Sequence, residues 1–329
     1  MILPLCLTLV TLSVSALSQE LRIFVIDVDG GGANLIVGPK GDSLLIDAGW
    51  PVTSAPRIAE VARKQAGLKK IDYFVATHFH KGHVGGLEEL LKLMPIGKFL
   101  DHGASVEKGD AADALIASYQ RGTGGKHRPV KPGEHIPMAG VSLRVVASGG
   151  RFIGSLAGSQ KNPHCDGAVL KDNDPTENRQ SVGVLVSFGR FRFLNLGDMT
   201  WNFEHRMACP LNLLGEVDVL QIPHHGTTLS GAPQHLRALH PQVAFLNNAA
   251  RTQGTGEVLT TLLTSVAPPE IWQLHPAANA TSLNAPEERI VNLGKAGSGD
   301  WLKISVRSNG EYSVQNARNG FTRTYRARP

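Results

Sequence analysis

The chain has 329 residues, of which 42% are hydrophobic and 19% charged, with a net charge of +5. That balance fits one large α/β domain or two small ones and excludes long disordered stretches. The positive charge is scattered; its densest run, Lys126 to Lys131, is broken by Pro129 and reads as a solvated loop, so charge alone implies no stable nucleic-acid complex.

Residues 1–18 carry no charged side chain. The apolar run is short for a membrane span, and Ala16 and Ser18 supply the small residues of a cleavage site. This segment reads as a secretory signal peptide, although it lacks the usual basic opening. The expectation is a secreted or periplasmic chain with no membrane span after cleavage. The remainder, 19–329, reads as one domain, with a core over about 21–248 and C-terminal strands and helix over 249–329.

Strand patterns follow at Leu21 to Val28, Asn34 to Val37 and Ser43 to Ile46, the last leading into Asp47-Ala48-Gly49. Pro56 to Ala66 reads as a helix, Ile71 to Ala76 as a strand, and Val84 to Leu93 as a single helix. A helix at Ala111 to Tyr119 and a strand at Val141 to Ala147 come next. The polar, irregular segment from Arg151 to Glu177 reads as an active-site loop. A hairpin turns at Gly189-Arg190 and ends in Gly197-Asp198. The strand Val217 to Ile222 then runs into Pro223-His224-His225-Gly226. A helix at Pro233 to Leu239, a strand at Val243 to Asn247 and a terminal hairpin around Ser308-Asn309-Gly310 close the pattern.

The sharpest chemical signal is His78-Phe79-His80-Lys81-Gly82-His83. In extended backbone, residues two apart face the same side, so His78 and His80 can grip one ion. His83 follows a turn at a helix start and can face the same space. Imidazole is the commonest ligand for zinc and related metals. Asp198 ends a strand where a carboxylate can bridge two ions; the plainer reading is a helix N-cap. His224 ends the next strand pattern, with His225 beside it in a supporting or surface role. Cys165 and Cys209 remain after leader cleavage. In an oxidising compartment they pair; alternatively one thiol stands near a metal, since Cys165 lies between His164 and Asp166.

Thr77 to Leu87, THFHKGHVGGL, resembles the HxHxDH signature of the metallo-β-lactamase superfamily. LLIDAG resembles its first motif, whose Asp, here Asp47, supports the metal loop. NLGD resembles its bridging-Asp motif and IPHHG its final His motif. The resemblance covers about Leu21 to Asn248 and implies a four-layer αββα sandwich of the α/β class. Asn178 to Ser181, followed by LGD and PHHG, is most similar to the hydrolase domain of bacterial DNA-uptake (competence) channel proteins, with this chain as a secreted stand-alone relative.

Two departures stand out. The signature's Asp is replaced by Gly82. The middle His motif is absent, with Asn178 near its place and His164 as a distant substitute. The resemblance then implies one site with His78, His80 and Asp198, and a weaker second site with His83, His224 and the shared Asp198. It implies Zn(2+), one or two per chain, and hydrolysis by a metal-bound hydroxide, with Asp198, His83 and His224 as catalytic residues. The substrate class would be a phosphodiester, otherwise an ester, lactone or β-lactam. Rival readings are a non-catalytic binding protein, because of Gly82, and an iron-dependent oxidoreductase of the same fold. His102 and His275 are rim candidates with a structural alternative.

Overall fold

The computed structural model describes residues 20–156, 159–250, 252–265, 267–294 and 299–329; the expected leader lies outside the described residues. The first half runs β1 (Glu20–Ile26), β2 (Asn34–Val37), β3 (Ser43–Ile46), α1 (Ser54–Glu60, continued as a π-helical turn over Val61–Gln65) and β4 (Ile71–Val75). It continues through α2 (Lys81–Val84), α3 (Leu87–Leu93), β5 (Ile96–Asp101), α4 (Asp110–Thr123) and β6 (His127–Pro129). The second half opens with β7 (His135–Ile136), β8 (Ser142–Ser148), β9 (Arg151–Phe152), β10 (Gln160–Lys161), β11 (Gly183–Phe188) and β12 (Phe191–Asn195). Then come α5 (Trp201–Ala208), β13 (Leu211–Asn212), β14 (Val219–Gln221), α6 (Pro233–Leu239), β15 (Val243–Leu246), α7 (Gly256–Leu263) and β16 (Glu270–Gln273). The tail forms β17 (Trp301–Arg307), β18 (Glu311–Asn316) and β19 (Thr322–Arg326).

The single helix expected over Val84 to Leu93 is two helices, α2 and α3. Gly86 causes the break: its N–H donates to Gly49 O at 2.9 Å, and a Cβ there would stand 2.3 Å from Ala48 O. Only a glycine lets the chain turn so close to the β3–α1 loop.

Among the described residues the strands form two large sheets. The first has the order β19-β18-β17-β1-β2-β3-β4-β5-β6, the second β16-β15-β14-β12-β11-β8-β7. Three apolar cores separate four layers. Ile23, Val25, Ile46 and Val75 from the first sheet meet Val145, Val184, Phe193 and Phe245 from the second. Phe24, Leu35 and Phe74, on the opposite face of the first sheet, pack on Ile58, Leu87, Leu90 and Tyr119 of α1, α3 and α4. Leu185, Leu194 and Leu220 pack on Met207, Leu236, Val258 and Leu262 of α5, α6 and α7. A strand buried on both faces is apolar at every position in β15, and each such Leu, Ile or Phe stabilises by roughly 1.5–3 kcal/mol.

The tail is woven into this core. β17 pairs antiparallel with all seven residues of β1, and β16 pairs parallel with β15. Cys165 and Cys209 form a disulfide that ties the irregular segment after β10 to the end of α5, so neither thiol is free for a metal.

Candidate metal centre

The chemistry-bearing residues stand on loops that leave five strand ends. Asp47 follows β3, and His78 to His83 follow β4. Asp198 follows β12, His224 and His225 follow β14, and Asn247 follows β15. Strands β3 and β4 are parallel, as are β12, β14 and β15, so their ends deliver these loops to one edge of the sandwich. Gly197 makes the turn into Asp198 at φ 55, where a Cβ would meet Thr77 Cβ at 2.8 Å. Two consecutive histidines, His224 and His225, also lie in the left-handed region, at φ 50 and 56. Such backbone costs of order 1–3 kcal/mol per residue and persists where surrounding contacts demand it.

Asp198 Oδ2 is the hub. His83 Nε2 lies 3.3 Å from it, His225 Nε2 3.4 Å, and His78 Nε2 and His224 Nε2 each 3.7 Å. His80 Nδ1 is 3.1 Å from His78 Nε2. Ligand atoms around a tetrahedral ion at about 2.0–2.1 Å stand roughly 3.3–3.4 Å apart, which is the spacing found here.

The outward ring nitrogens decide the tautomers. Thr77 Oγ1 donates to Asp47 Oδ2 at 2.8 Å, and so accepts from His78 Nδ1 at 3.0 Å. His80 Nε2 donates to Glu107 Oε1 at 2.7 Å. His83 Nδ1 donates to Asp47 Oδ2 at 2.7 Å, and His225 Nδ1 to Asn247 O at 3.1 Å. His78, His80 and His225 therefore turn a lone pair inward from the remaining nitrogen, while His83 Nε2, 3.3 Å from Asp198, holds a proton that a bound ion would displace. Outer carboxylates and carbonyls that orient metal-binding histidines do the same. The Nδ1 of His224 is buried with no partner. The donor set fits a divalent ion, with His78, His83 and Asp198 the tightest buried trio.

The electrostatics set His83 apart from the other rings. Burial alone would raise the Asp198 carboxyl; His225, His83, His224 and His78 outweigh it and hold the group well below the usual carboxylate range. Burial, reinforced by the neighbouring His83, pushes His78 well down. His83 is driven the other way, up to about 10: burial opposes the charge, but Asp198 and Asp47 flank the ring and prevail. Burial also lowers His224.

Gly82 stands beside the cluster, but its side-chain direction is filled. A Cβ there would lie 3.0 Å from Trp50 Cζ2 and 3.1 Å from Cε2. A side chain at position 82 would crowd the indole, which must move by a few tenths of an ångström to admit it.

The other sequence candidates are scattered. Asp47 lies behind the histidine loop, its Oδ1 accepting from Thr77 N at 2.8 Å. His102 Nε2 bonds Glu177 Oε2 at 2.7 Å beneath the loop. Asn178 donates to Asp174 at 3.3 Å and has a buried, unpartnered Oδ1. His275 is fully buried against Asp27, 2.9 Å away. His164 lines a separate cavity with Asn212, Arg237 and His240, away from the cluster. Sequence reasoning missed Glu107, Glu177, Thr77, Asn247 and Trp50. Thr77, Trp50 and Glu177 adjoin recognisable motifs and Asn247 ends a strand pattern; Glu107 lies in a segment without pattern.

Residues 27–162 match the family model described as "Metallo-beta-lactamase superfamily". No curated protein matches the chain in sequence. Three solved structures illustrate the likeness. The metallo-beta-lactamase fold protein YhfI from Bacillus subtilis is 13% identical with a TM-score of 0.44, covering 79% of this chain and 97% of that one. MEM-A1, a subclass B3 metallo-beta-lactamase from a soil metagenome, is 15% identical with a TM-score of 0.35, covering 80% and 78%. CmlA, a diiron beta-hydroxylase from Streptomyces venezuelae, is 15% identical with a TM-score of 0.40, covering 69% of this chain and 44% of that one. The chain thus spans less than half the length of that hydroxylase. The architecture is a mixed α/β sandwich with helices outside two sheets, consistent with the metallo-β-lactamase sandwich whose family model residues 27–162 match.

Proposed function

We propose that this protein is a secreted hydrolase that works with zinc. The observation that carries the reading is the set of four imidazoles whose outward nitrogens are all engaged, three of them, His78, His83 and His225, facing the Asp198 carboxylate and the fourth, His80, facing His78. His78, His80 and Asp198 would hold one ion; His83, His225 and the shared Asp198 would hold a second more weakly, since position 82 contributes no carboxylate. When bound, zinc supplies Lewis-acid polarisation of the scissile group and acidifies water toward neutral pH. His224, at the rim with an unpartnered Nδ1, is placed to take a proton from the attacking water and return it to the leaving group. Asp47 and Glu107 keep His83 and His80 in the binding tautomer. The disulfide supports an oxidising, extracytoplasmic location. Kinship with DNA-uptake hydrolase domains rests on Asn178 to Ser181, the LGD and the PHHG segments, and would make a phosphodiester one candidate substrate beside esters, lactones and β-lactams.

The test is zinc reconstitution, followed by metal analysis and turnover on one substrate of each class. Protein that stays metal-free, or that binds zinc and turns over none of them, overturns the reading. Zinc without turnover would select a non-catalytic scaffold, the reading that the Trp50-filled position favours. Retained iron without hydrolysis would select an oxidoreductase.

A further inference from the structure

Among the described residues, nine large hydrophobic side chains are exposed, and six stand on loops that carry or clasp the metal centre: Trp50, Val52, Val106, Val169, Leu170 and Leu229. Single exposed apolar residues are ordinary; a concentration at one mouth marks a binding surface. Trp50 packs its ring edge on Gly82, and its Nε1 donates to Asp29 O at 3.2 Å. Val52 is 75% exposed at φ 68, a conformation that β-branched residues avoid. Val106 precedes Glu107, the residue that orients His80.

The other three surround Trp201, three residues after Asp198. Trp201 Nε1 donates to Val169 O at 3.0 Å and its backbone N–H to Leu229 O at 2.9 Å. Lys171, next to Leu170, is clamped: its Nζ donates to Thr228 O at 2.6 Å and Glu257 Oε1 at 3.0 Å, and lies 3.6 Å over the Trp201 ring. These apolar groups are therefore held at the mouth by fixed backbone, not left there by loose chain. The acids at the same mouth are Glu107, beside His80, and Asp174, close enough to act on His224. Glu107 and Asp174 oppose a polyanionic chain and Lys171 is paired with Glu257, while Lys81 on the histidine loop and Lys108 beside Glu107 are the exposed cations nearby, so the apolar side chains rather than charge define the mouth.

Resting on the hydrolase reading above, we infer that the substrate is a neutral ester with an extended apolar acyl chain, the chain lying along Trp50, Leu170 and Leu229 while the carbonyl reaches the imidazole–Asp198 cluster. The step is hydrolysis. The acyl carbon–oxygen bond breaks, a bond to the water oxygen forms, one water proton leaves on the alcohol, and the other leaves as the acid ionises. No oxidant or further reactant enters.

The experiment uses zinc-loaded full chain with p-nitrophenyl acetate, butyrate, octanoate and decanoate, alongside bis(p-nitrophenyl) phosphate. The expected result is a kcat/KM that rises at least tenfold from acetate to octanoate and exceeds that for the phosphodiester. Leu170→Ser combined with Leu229→Ser should lower the octanoate-to-acetate ratio at least threefold. Calorimetry of 1-octanol with metal-free protein gives a readout independent of turnover, with binding weakened at least fivefold in the same double variant. Turnover that is flat with chain length, or fastest on the phosphodiester, overturns the inference and leaves the hydrolase reading standing. If nothing is hydrolysed the hydrolase reading falls. Octanol binding then decides the apolar surface alone: absent binding, or binding indifferent to the double variant, overturns that too.

Discussion

Glu177 has no exposed surface, yet its carboxylate collects four donors: Phe79 N at 3.0 Å, His102 Nε2 at 2.7 Å, Ser105 Oγ at 2.8 Å and Val106 N at 2.6 Å. Phe79 lies between two of the inward-facing histidines, so this carboxylate locks the histidine loop onto the 102–107 loop. Burial raises its pKa, but the His102 bond and charge and the backbone donors bring it down to about 2 from 4.5. Glu177→Ala orphans the buried Phe79 N–H, worth roughly 1–3 kcal/mol, frees the part-buried Val106 N–H, and strands His102. The expected loss is about 3–5 kcal/mol. Glu177→Gln keeps the shape and one good acceptor but not the charge, and should cost about 2 kcal/mol.

The pH dependence has a definite sign. A depressed folded-state pKa means that the carboxylate stabilises fully above pH 4.5 and loses that contribution as pH falls through about 2. The stability gap between wild type and Glu177→Gln should therefore be constant near pH 6 and narrow steadily below 4.5. Urea denaturation of the metal-free protein at several pH values, followed by circular dichroism, measures it. A Glu177→Ala loss below about 1 kcal/mol, or a Gln gap that does not change with acidification, would refute this account.

Three further outcomes follow from the centre. His225→Ala should lower zinc affinity by at least about 100-fold and His224→Ala by less than about tenfold, measured by chelator competition; equal losses would remove the distinction drawn from Asn247. Glu107→Ala should lower zinc affinity by about 10–100-fold while the melting temperature of the metal-free protein stays put; a fallen melting temperature with intact affinity would make its role structural. Gly82→Asp should destabilise by about 1–3 kcal/mol through overpacking against Trp50 and leave zinc stoichiometry unchanged. A rise in bound zinc would show that the indole yields and that the vacant ligand position is recoverable.

The layered fold was legible because apolar runs bounded by Gly, Asp and Pro mark buried strands, and because His78, His80, His83 and Asp198 sit at strand ends. The break at Gly86 was not legible: it depends on a contact with Ala48, far along the chain. The relation of His224 to His225 was hidden for a similar reason. Their strained backbone turns both rings toward Asp198, and only the Asn247 carbonyl, on another strand, separates their surroundings. Gly82 read as a lost ligand; the Trp50 ring that fills its place could not be inferred from spacing. Glu107 and Glu177 meet the histidine loop from segments whose placement no periodicity reports.

The inward-facing donors come from both sheets. His78 to His83 hang from β4 in the first sheet, while Asp198, His224 and His225 hang from β12 and β14 in the second. An ion held by both sets is a rivet through the seam of the sandwich, fastening two distant stretches of chain as a cross-link would. Removing such an ion would act on the fold itself. It would unpin the two sheets at one end, leave a buried carboxylate among imidazoles to settle its charge alone, and make resistance to unfolding follow the free metal in the surroundings.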